Sequence, residues 1–493
     1  MEVSAIDFKI TSPVLILSAG AFLLLMNEVT AKSSKIRHGI TALTLVAAIL
    51  MLFCVRGSFE IGTTAFGGLV YGDPFTFLVS MIILIGSLTA YILGARSLEK
   101  EGISSIGEYY SLFLMSIAGA IVLISARELI LLFVGLEIMS IALYTMCALN
   151  LWSSRSSEAG LKYFLLGSFS SAIFLYGISL LYGLTGSLFI PEIAGLLITD
   201  GAQSNIVLYA ALGFILTGFG FKIGLVPFHF WIPDVYQGAP TAVTAFMACV
   251  IKAAAVSVAL RGMWVLFGEP NIFANWTDLI WILSVLTMTL GNLIALRQRS
   301  VKRMLAYSSI AHAGYMFVAF LAPNSGGGPA VMFYLVAYMI MTFGAFGVVM
   351  AVSDSAPAGT EGDHITRFNG LGFKNPVLGV FMTIFIFSLA GLPPGLAGFL
   401  GKFYLFSAAV KANYIGLVII AVINSAISCY YYLRVLVAMY FTESENDSTV
   451  TVNIPMFGAL TACAVAALFL GMFPSQLHEL SIAATSSFGF VVP

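Results

Sequence analysis

The sequence predicts an all-α polytopic membrane protein with about fourteen transmembrane helices. Three observations carry that expectation. Of 493 residues, 60% are hydrophobic and only 9% charged, and the mean hydropathy of +1.00 lies outside the range of soluble globular domains. The apolar runs are continuous and do not alternate, which excludes a transmembrane β-barrel. Each run is also about 17 residues or longer, enough to cross the hydrocarbon core of a bilayer.

Composition removes other classes. The net charge of −1 offers no nucleic-acid footprint. Cys54, Cys147, Cys249, Cys429 and Cys463 are scattered without a CxxC pair, so no iron–sulfur, zinc or disulfide framework is expected. The N-terminus lacks a basic region followed by a cleavage site, so the first apolar run is expected to stay as a helix.

The segments follow in order, with approximate cores. Segments 13–29 and 39–55 are joined by Lys32, Lys35 and Arg37. Segment 74–94 follows Arg56 and ends before Arg96 and Lys100, and 109–125 leads to Arg127. The fifth, 128–149, contains Glu137. The sixth, 160–184, follows Arg155 and starts with Lys162, four residues after Glu158. The seventh, 206–228, carries Lys222 and meets Pro227. The eighth, 241–267, follows Pro233, Asp234 and Pro240 and carries Lys252 and Arg261. Segment 276–296 is followed by Arg297, Arg299, Lys302 and Arg303, and the tenth, 301–321, contains His312. Arg367 and Lys374 separate 328–352 from the twelfth, 377–411, which holds Pro393, Pro394, four nearby glycines and then Lys402. Segments 413–441 and 455–473 close the set.

Basic residues set the orientation. With the N-terminus outside, Lys32, Lys35, Arg37, Arg96, Lys100, Arg155, Arg297, Arg299, Lys302, Arg303, Arg367 and Lys374 fall in inner loops, whereas only Lys9, Arg56, Arg127 and Lys411 fall outside. This bias predicts both termini on the outer side. Six basic residues remain: Lys162, Lys222, Lys252, Arg261, Lys402 and Arg434. Arg261 and Arg434 lie toward helix ends, where they can snorkel. Lys222, Lys252 and Lys402 sit near mid-bilayer, where a cation costs about 3 kcal/mol on insertion scales. Among the acids only Glu137 lies well inside a segment.

One deep carboxylate and three deep lysines form a sparse set that suggests a proton pathway. Opposite charges and desolvation push such groups in opposing directions, so a Glu–Lys pair can switch between ionised and neutral states. Glu137 and Lys222 are natural partners if the fifth and seventh helices pack together. Lys252 and Lys402 have no evident carboxylate partner. His312, among Tyr307, Ser308 and Ser309, is a candidate link between them, because imidazole exchanges a proton near neutral pH. His229 follows the Pro227 break and reads as structural, as do Tyr431 and Tyr432. His38, His364 and His478 read as loop residues, and no histidine pair has metal-ligand spacing. Pro227 and Pro393-Pro394 are expected to break the seventh and twelfth helices. Paired broken helices point to two inverted five-helix repeats, helices 4–8 and 9–13. The corresponding divisions are 1–108, 109–267, 276–441 and 455–493.

The stretches KIGLVPFHFWIPDVYQGAPTAVTAF, FVGLEIMSIALY, RMLAYSSIAHAGYMF and GLPPGLAGFLGKF resemble the antiporter-like proton-translocating family. That family comprises the large membrane subunits of respiratory complex I and of multi-subunit Na+/H+ antiporters. The resemblance spans about residues 100–440. It implies that Glu137 is the family's helix 5 glutamate, Lys222 its paired helix 7 lysine, Lys252 the central helix 8 lysine and Lys402 the helix 12 lysine at the outer exit. Lys162 resembles a helix 6 lysine that modulates the pair. Lys402, where a sister subunit has glutamate, favours a complex I subunit, as do the short tail after the last helix and the count of fourteen.

The resemblance thus implies a subunit of a proton-translocating NADH:quinone oxidoreductase with no redox centre of its own. Partner subunits would carry FMN and iron–sulfur clusters and reduce quinone. Its neighbours would be M-, K-, J-, A-, H- and L-type membrane subunits and lipid, in a bacterial inner membrane with both termini periplasmic. An Na+/H+ antiporter subunit and a non-pumping structural subunit are the alternatives.

Overall fold

A computed structural model describes residues 4–30, 33–103, 106–199, 206–356, 362–392, 397–443 and 450–488. Lys32, Pro393, Pro394 and Gly395 lie outside the described residues. The helices are α1 (Ala5–Thr30), α2 (Ser34–Cys54), α3 (Pro74–Lys100), α4 (Ile106–Ser125), α5 (Leu129–Cys147), α6 (Ser154–Thr185), α7 (Ile190–Thr199), α8 (Ile206–Ile223), α9 (Trp231–Gly238) and α10 (Thr241–Phe246). A π-helical turn, Met247–Ile251, joins α10 to α11 (Lys252–Phe267). Then come α12 (Pro270–Ala295), α13 (Val301–Phe320), α14 (Gly327–Asp354), α15 (Leu371–Lys374), α16 (Pro376–Ala390), α17 (Ala397–Lys411), α18 (Ile415–Phe441), α19 (Ile454–Met472) and α20 (Ser475–Thr485).

Among the described residues, twelve helical spans are long and apolar enough to cross a membrane. The tenth expected segment is α13, whose first turn carries Lys302 and Arg303. The twelfth is split into α16 and α17, which completes the expected fourteen. The seventh is split as well. Helix α8 stops at Ile223, Gly224 takes a positive φ of 87°, and Pro227 follows a cis peptide bond. The chain resumes as the short α9, so the break begins three residues before the proline that signals it. Among the described residues α7, α9, α15, α20 and a small hairpin of β1 (Thr64–Ala65) and β2 (Val70–Tyr71) were not expected. All are too short to leave a periodic signature.

Burial sorts the spans into centre and rim. The most apolar window of α10–α11 is 100% buried and that of α14 is 89% buried, against 33% for α2, α18 and α19. The rim helices expose apolar side chains such as Leu43, Ile419 and Val465, as a lipid-facing or subunit-facing surface requires. Close approach is set by small residues, the usual device where no hydrophobic force separates helix from lipid. In the α4–α5 contact a Cβ at Gly119 would meet the Met139 nitrogen at 2.5 Å, and one at Gly135 the Leu123 nitrogen at 2.5 Å. In the α12–α13 contact a Cβ at Gly291 would meet the Ala311 nitrogen at 2.8 Å, and one at Gly314 the Met288 nitrogen at 2.6 Å.

Candidate functional site

The break after α8 leaves Lys222 in the last turn of a helix that ends inside the protein. Trp231 Nε1 donates to the freed Phe221 carbonyl at 2.9 Å, and the Val226 N–H donates to Thr287 Oγ1 at 3.0 Å. These bonds satisfy backbone groups that a helix end exposes. Trp231 also stacks on Tyr163 at 4.3 Å between ring centroids. Tyr163 accepts a hydrogen bond from Lys222 Nζ at 3.3 Å. Nζ further lies 5.0 Å from the Tyr163 ring and 5.2 Å from the Tyr144 ring, positions favourable for a cation over an aromatic face.

Glu137 makes no ion pair with Lys222. Ser171 Oγ donates to Glu137 Oε1 at 2.5 Å, and among the described residues no carboxylate lies within ion-pair distance of Lys222. Tyr144 contacts Lys222, and its buried hydroxyl has no hydrogen-bond partner among the described residues. Gly167 of α6 makes room for that hydroxyl, because a Cβ there would meet it at 2.1 Å.

Lys252 sits where the π-turn hands over to α11. A π-turn inserts one residue into the helix and re-aims the side chains beyond it. Lys252 Nζ donates to the Ser309 carbonyl at 2.6 Å and to Ser309 Oγ at 3.1 Å, with the Tyr338 ring 5.9 Å away. One turn along α13, His312 is 1% exposed. Its Nδ1 shares a hydrogen bond with Tyr334 at 2.5 Å and its Nε2 with Tyr432 at 3.0 Å. Tyr432 is in turn bonded to Ser308. Tyr432, expected to be structural, is a polar partner of the histidine.

Lys402, 4% exposed, lies in the second turn of α17. Its Nζ donates to the Ala390 carbonyl at 2.9 Å and to Ser425 Oγ at 2.9 Å, and lies 5.0 Å from the Tyr315 ring. Ala390 is the last residue of α16, so the lysine caps the open end of the broken helix, where the dipole favours a cation. Gly391, at φ 73°, terminates α16 beside it. A cavity of about 620 Å³ opens next to Lys402, lined among others by Phe399, Phe403, Phe406, Ser425 and Cys429. Tyr315 belongs to a further buried network, in which Asn292 Nδ2 donates to Tyr315 at 2.8 Å and Tyr431 donates to Asn292 Oδ1 at 3.0 Å.

Lys162 falls outside this interior. It pairs with Glu158 at 2.6 Å and Asp234 at 2.9 Å and is 41% exposed. Asp234 also pairs with Arg303 at 2.9 Å, around a cavity of about 180 Å³. Partial burial pushes the Asp234 carboxyl up, but the hydrogen bonds and charges of Lys162 and Arg303 hold it below the usual carboxylate range. His229 is buried beside the Phe230 ring. His38 and His478 lie on α2 and α20 and are not loop residues, while His364 caps a single 3-10 turn.

Arg261 does not snorkel. It is buried, donates to both Asp73 oxygens at 2.8 and 2.9 Å, and stacks between Tyr71 and Phe75. Arg434 turns inward to the carbonyls of Leu296 and Gln298, just past the end of α12. Sequence reasoning missed Tyr144, Tyr163, Tyr334, Ser171, Ser425 and the π-turn. The adjacency of Ser308 and Ser309 to His312 was the one signal available for the hydroxyl partners.

Comparison with known proteins identifies the family of the chain. The family described as NADH:quinone oxidoreductase/Mrp antiporter, TM, matches residues 126–428. NADH-quinone oxidoreductase subunit N of Trichlorobacter lovleyi is 44% identical over 480 residues, covering 97% of this chain and 96% of that one. A chain of respiratory complex I from Thermus thermophilus, solved with bound aureothin, superposes with a TM-score of 0.78 at 34% identity, covering 95% of this chain and 98% of that chain. A chain of the Mrp complex of Dietzia sp. DQ12-45-1b shares the fold alone, with a TM-score of 0.81 at 20% identity over 97% of each chain. Broken helices flanking buried lysines, a matching family profile and end-to-end likeness to N subunits together place the chain in the NADH:quinone oxidoreductase/Mrp antiporter family, as an antiporter-like membrane-arm subunit of the N type of NADH-quinone oxidoreductase.

Proposed function

We propose that this chain carries protons across the membrane arm through Glu137, Lys222, Lys252, His312 and Lys402, with Lys162 in a modulating role at the surface. The observation that carries this reading is the buried run from Lys252 through the Ser308–Ser309 step of α13 to Tyr432, His312 and Tyr334. Both ring nitrogens of His312 face hydroxyls, so a proton taken up at one can leave from the other. Among the described residues, Lys222, Lys252 and Lys402 are held by neutral partners only: rings, hydroxyls and carbonyls. No ion pair among those residues locks them in the ionised form, which suits groups that must load and unload a proton.

Quinone reduction in partner subunits is the driving event, with FMN and iron–sulfur clusters carried there and none in this chain. Its effect on this subunit is a change in the Glu137–Lys222 separation. When Glu137 draws near, the Lys222 ammonium is stabilised; when it withdraws to Ser171, the lysine gives its proton toward Lys252. Water completes the steps between Lys222 and Lys252 and between His312 and Lys402. Release is to the outer compartment of a bacterial inner membrane, with both termini periplasmic. The neighbours are the M-, K-, J-, A-, H- and L-type membrane subunits. The two five-helix units, 109–267 and 276–441, act as half-channels. The recurrence of glycine-mediated contacts in α4–α5 and α12–α13, and of the breaks after α8 and α16, supports that division.

The test is Lys222→Ala and Lys402→Ala in an assembled complex, reading quinone reduction and protons pumped per electron. Loss of pumping in both variants is expected. Wild-type values for both quantities in both variants would sink the relay and leave a structural role.

A further inference from the structure

The sequence predicts an inner-loop position for Lys302, yet it is 5% exposed in the first turn of α13. Its Nζ donates to the Ala239 carbonyl at 2.6 Å and to Thr241 Oγ1 at 3.3 Å. Those residues form the hinge between α9 and α10. The Thr241 N–H, left free by the start of α10, donates to Glu101 Oε1 at 3.2 Å. Glu101 is itself tied down, its N–H donating to the Ser97 carbonyl at 2.9 Å and its carbonyl accepting from Asn150 Nδ2 at 3.0 Å. One short hinge is thus gripped by a cation from α13 and a carboxylate from the end of α3. Both fit their positions, since a carboxylate suits a helix N-terminus and an ammonium suits the carbonyl that precedes it.

The helix that starts at this hinge runs without a loop through the π-turn to Lys252. There the Lys252 ammonium meets the Ser309 carbonyl and hydroxyl, on the helix that carries Lys302. Helix α13 therefore holds the Lys252 helix at two points, Lys302 and Ser309, about 10 Å apart along α13 at 1.5 Å per residue. A slide or rotation at the hinge must appear at the Lys252–Ser309 contact, unless the π-turn absorbs it.

We propose that Glu101 and Lys302 are positioning residues for proton transfer at Lys252, clamping the start of its helix so that the ammonium stays aligned with Ser309. The proposal rests on the proton-path reading of Lys252. It has a consequence in pH. Burial pushes the Glu101 carboxyl up, opposed by the Lys302 charge and the Thr241 N–H, while Asp354 of α14 adds to the rise. Asp363 faces Lys302, and Tyr109 of α4 faces Glu101. A raised pKa means the carboxylate form, and with it the charged clamp, is complete at higher pH and lost as pH falls through the raised value.

The experiment compares Glu101→Gln, Lys302→Met and Lys302→Arg with wild type and Lys252→Met in the assembled complex, in native membranes. It reads protons pumped per electron across acid to neutral pH, and hydrogen–deuterium exchange over residues 241–252. Glu101→Gln is expected to pump fewer protons per electron at neutral pH and to lose the wild type's decline on the acid side, with faster exchange at the hinge. Lys302→Arg is expected to recover most of what Lys302→Met loses. If Lys302→Met does not assemble, Glu101→Gln decides. A Glu101→Gln complex with the wild-type ratio, pH profile and exchange overturns the clamp, provided Lys252→Met is defective. A wild-type ratio in Lys252→Met would instead overturn the proton-path reading beneath it.

Discussion

Four basic side chains buried in the membrane interior are held in four ways. Lys222 rests on two tyrosine rings and a phenol, Lys252 on a backbone carbonyl and a serine, Lys402 on the open end of a helix, and Arg261 on the Asp73 carboxylate. Among the described residues only the arginine, which does not give up its proton, has a full counter-charge. Removing it strands a buried carboxylate, so Arg261→Met is expected to cost about 3–5 kcal/mol. The loss would show as a lower thermal midpoint of the purified complex and less assembled subunit. Arg261→Met with Asp73→Asn removes both charges and should recover part of that midpoint, while protons per electron in the surviving complex stay at wild type. No recovery in the double variant would mean that packing against Tyr71 and Phe75, and not charge, holds the site. The three lysines were legible in the sequence because a cation at mid-membrane is rare and can be found by elimination. Their partners were not, because carbonyls carry no sequence signal, and Tyr144, Tyr163 and Tyr315 are three among 20 tyrosines.

At the scale of elements, proline foretold the broken helices but glycine marks where they stop. Gly224 and Gly391 both take positive φ, at 87° and 73°, and each ends a helix before the prolines are reached. The Gly391 position matters twice, since a Cβ there would meet Lys402 Cδ at 2.8 Å and Nζ at 3.0 Å. Gly391→Ala therefore meets a backbone penalty of about 1–2 kcal/mol and pushes the ammonium off the Ala390 carbonyl. Pumping per electron is expected to fall with assembly largely kept. Gly416→Ala, where a Cβ would meet nothing within 4 Å, is the control and should match wild type. Equal ratios in the two variants, measured in inverted vesicles, would separate Lys402 from the helix end. The π-turn was invisible for a different reason. MACVIK has the composition of any buried helix, and the extra residue is a choice between hydrogen-bond partners that only tertiary packing decides.

For the whole molecule, hydropathy was enough to count the spans, because length and continuity of apolar runs are what crossing a bilayer requires. It could not rank them, since the fully buried α10–α11 and the largely exposed α19 have nearly equal mean hydropathy, 2.1 and 2.0. Charge on the loops makes a further, testable statement about the direction of the whole chain. With the N-terminus outside, the loop between α2 and α3 faces the periplasm and the loop between α12 and α13 faces the cytoplasm. Glu60 and Arg299 are exposed in those two loops and neither takes part in the buried network. Single Glu60→Cys and Arg299→Cys variants, made with exposed Cys54 replaced by serine, should report the two faces separately. A membrane-impermeant maleimide should label Glu60→Cys in intact spheroplasts and Arg299→Cys only in inverted vesicles. The reverse pattern would place the termini inside and turn the whole path around, so that Lys402 would have to serve uptake and not release. Labelling of both from one face would contradict the span count between them, which is seven membrane crossings from α3 to α12 with α8–α9 and α10–α11 each taken as one.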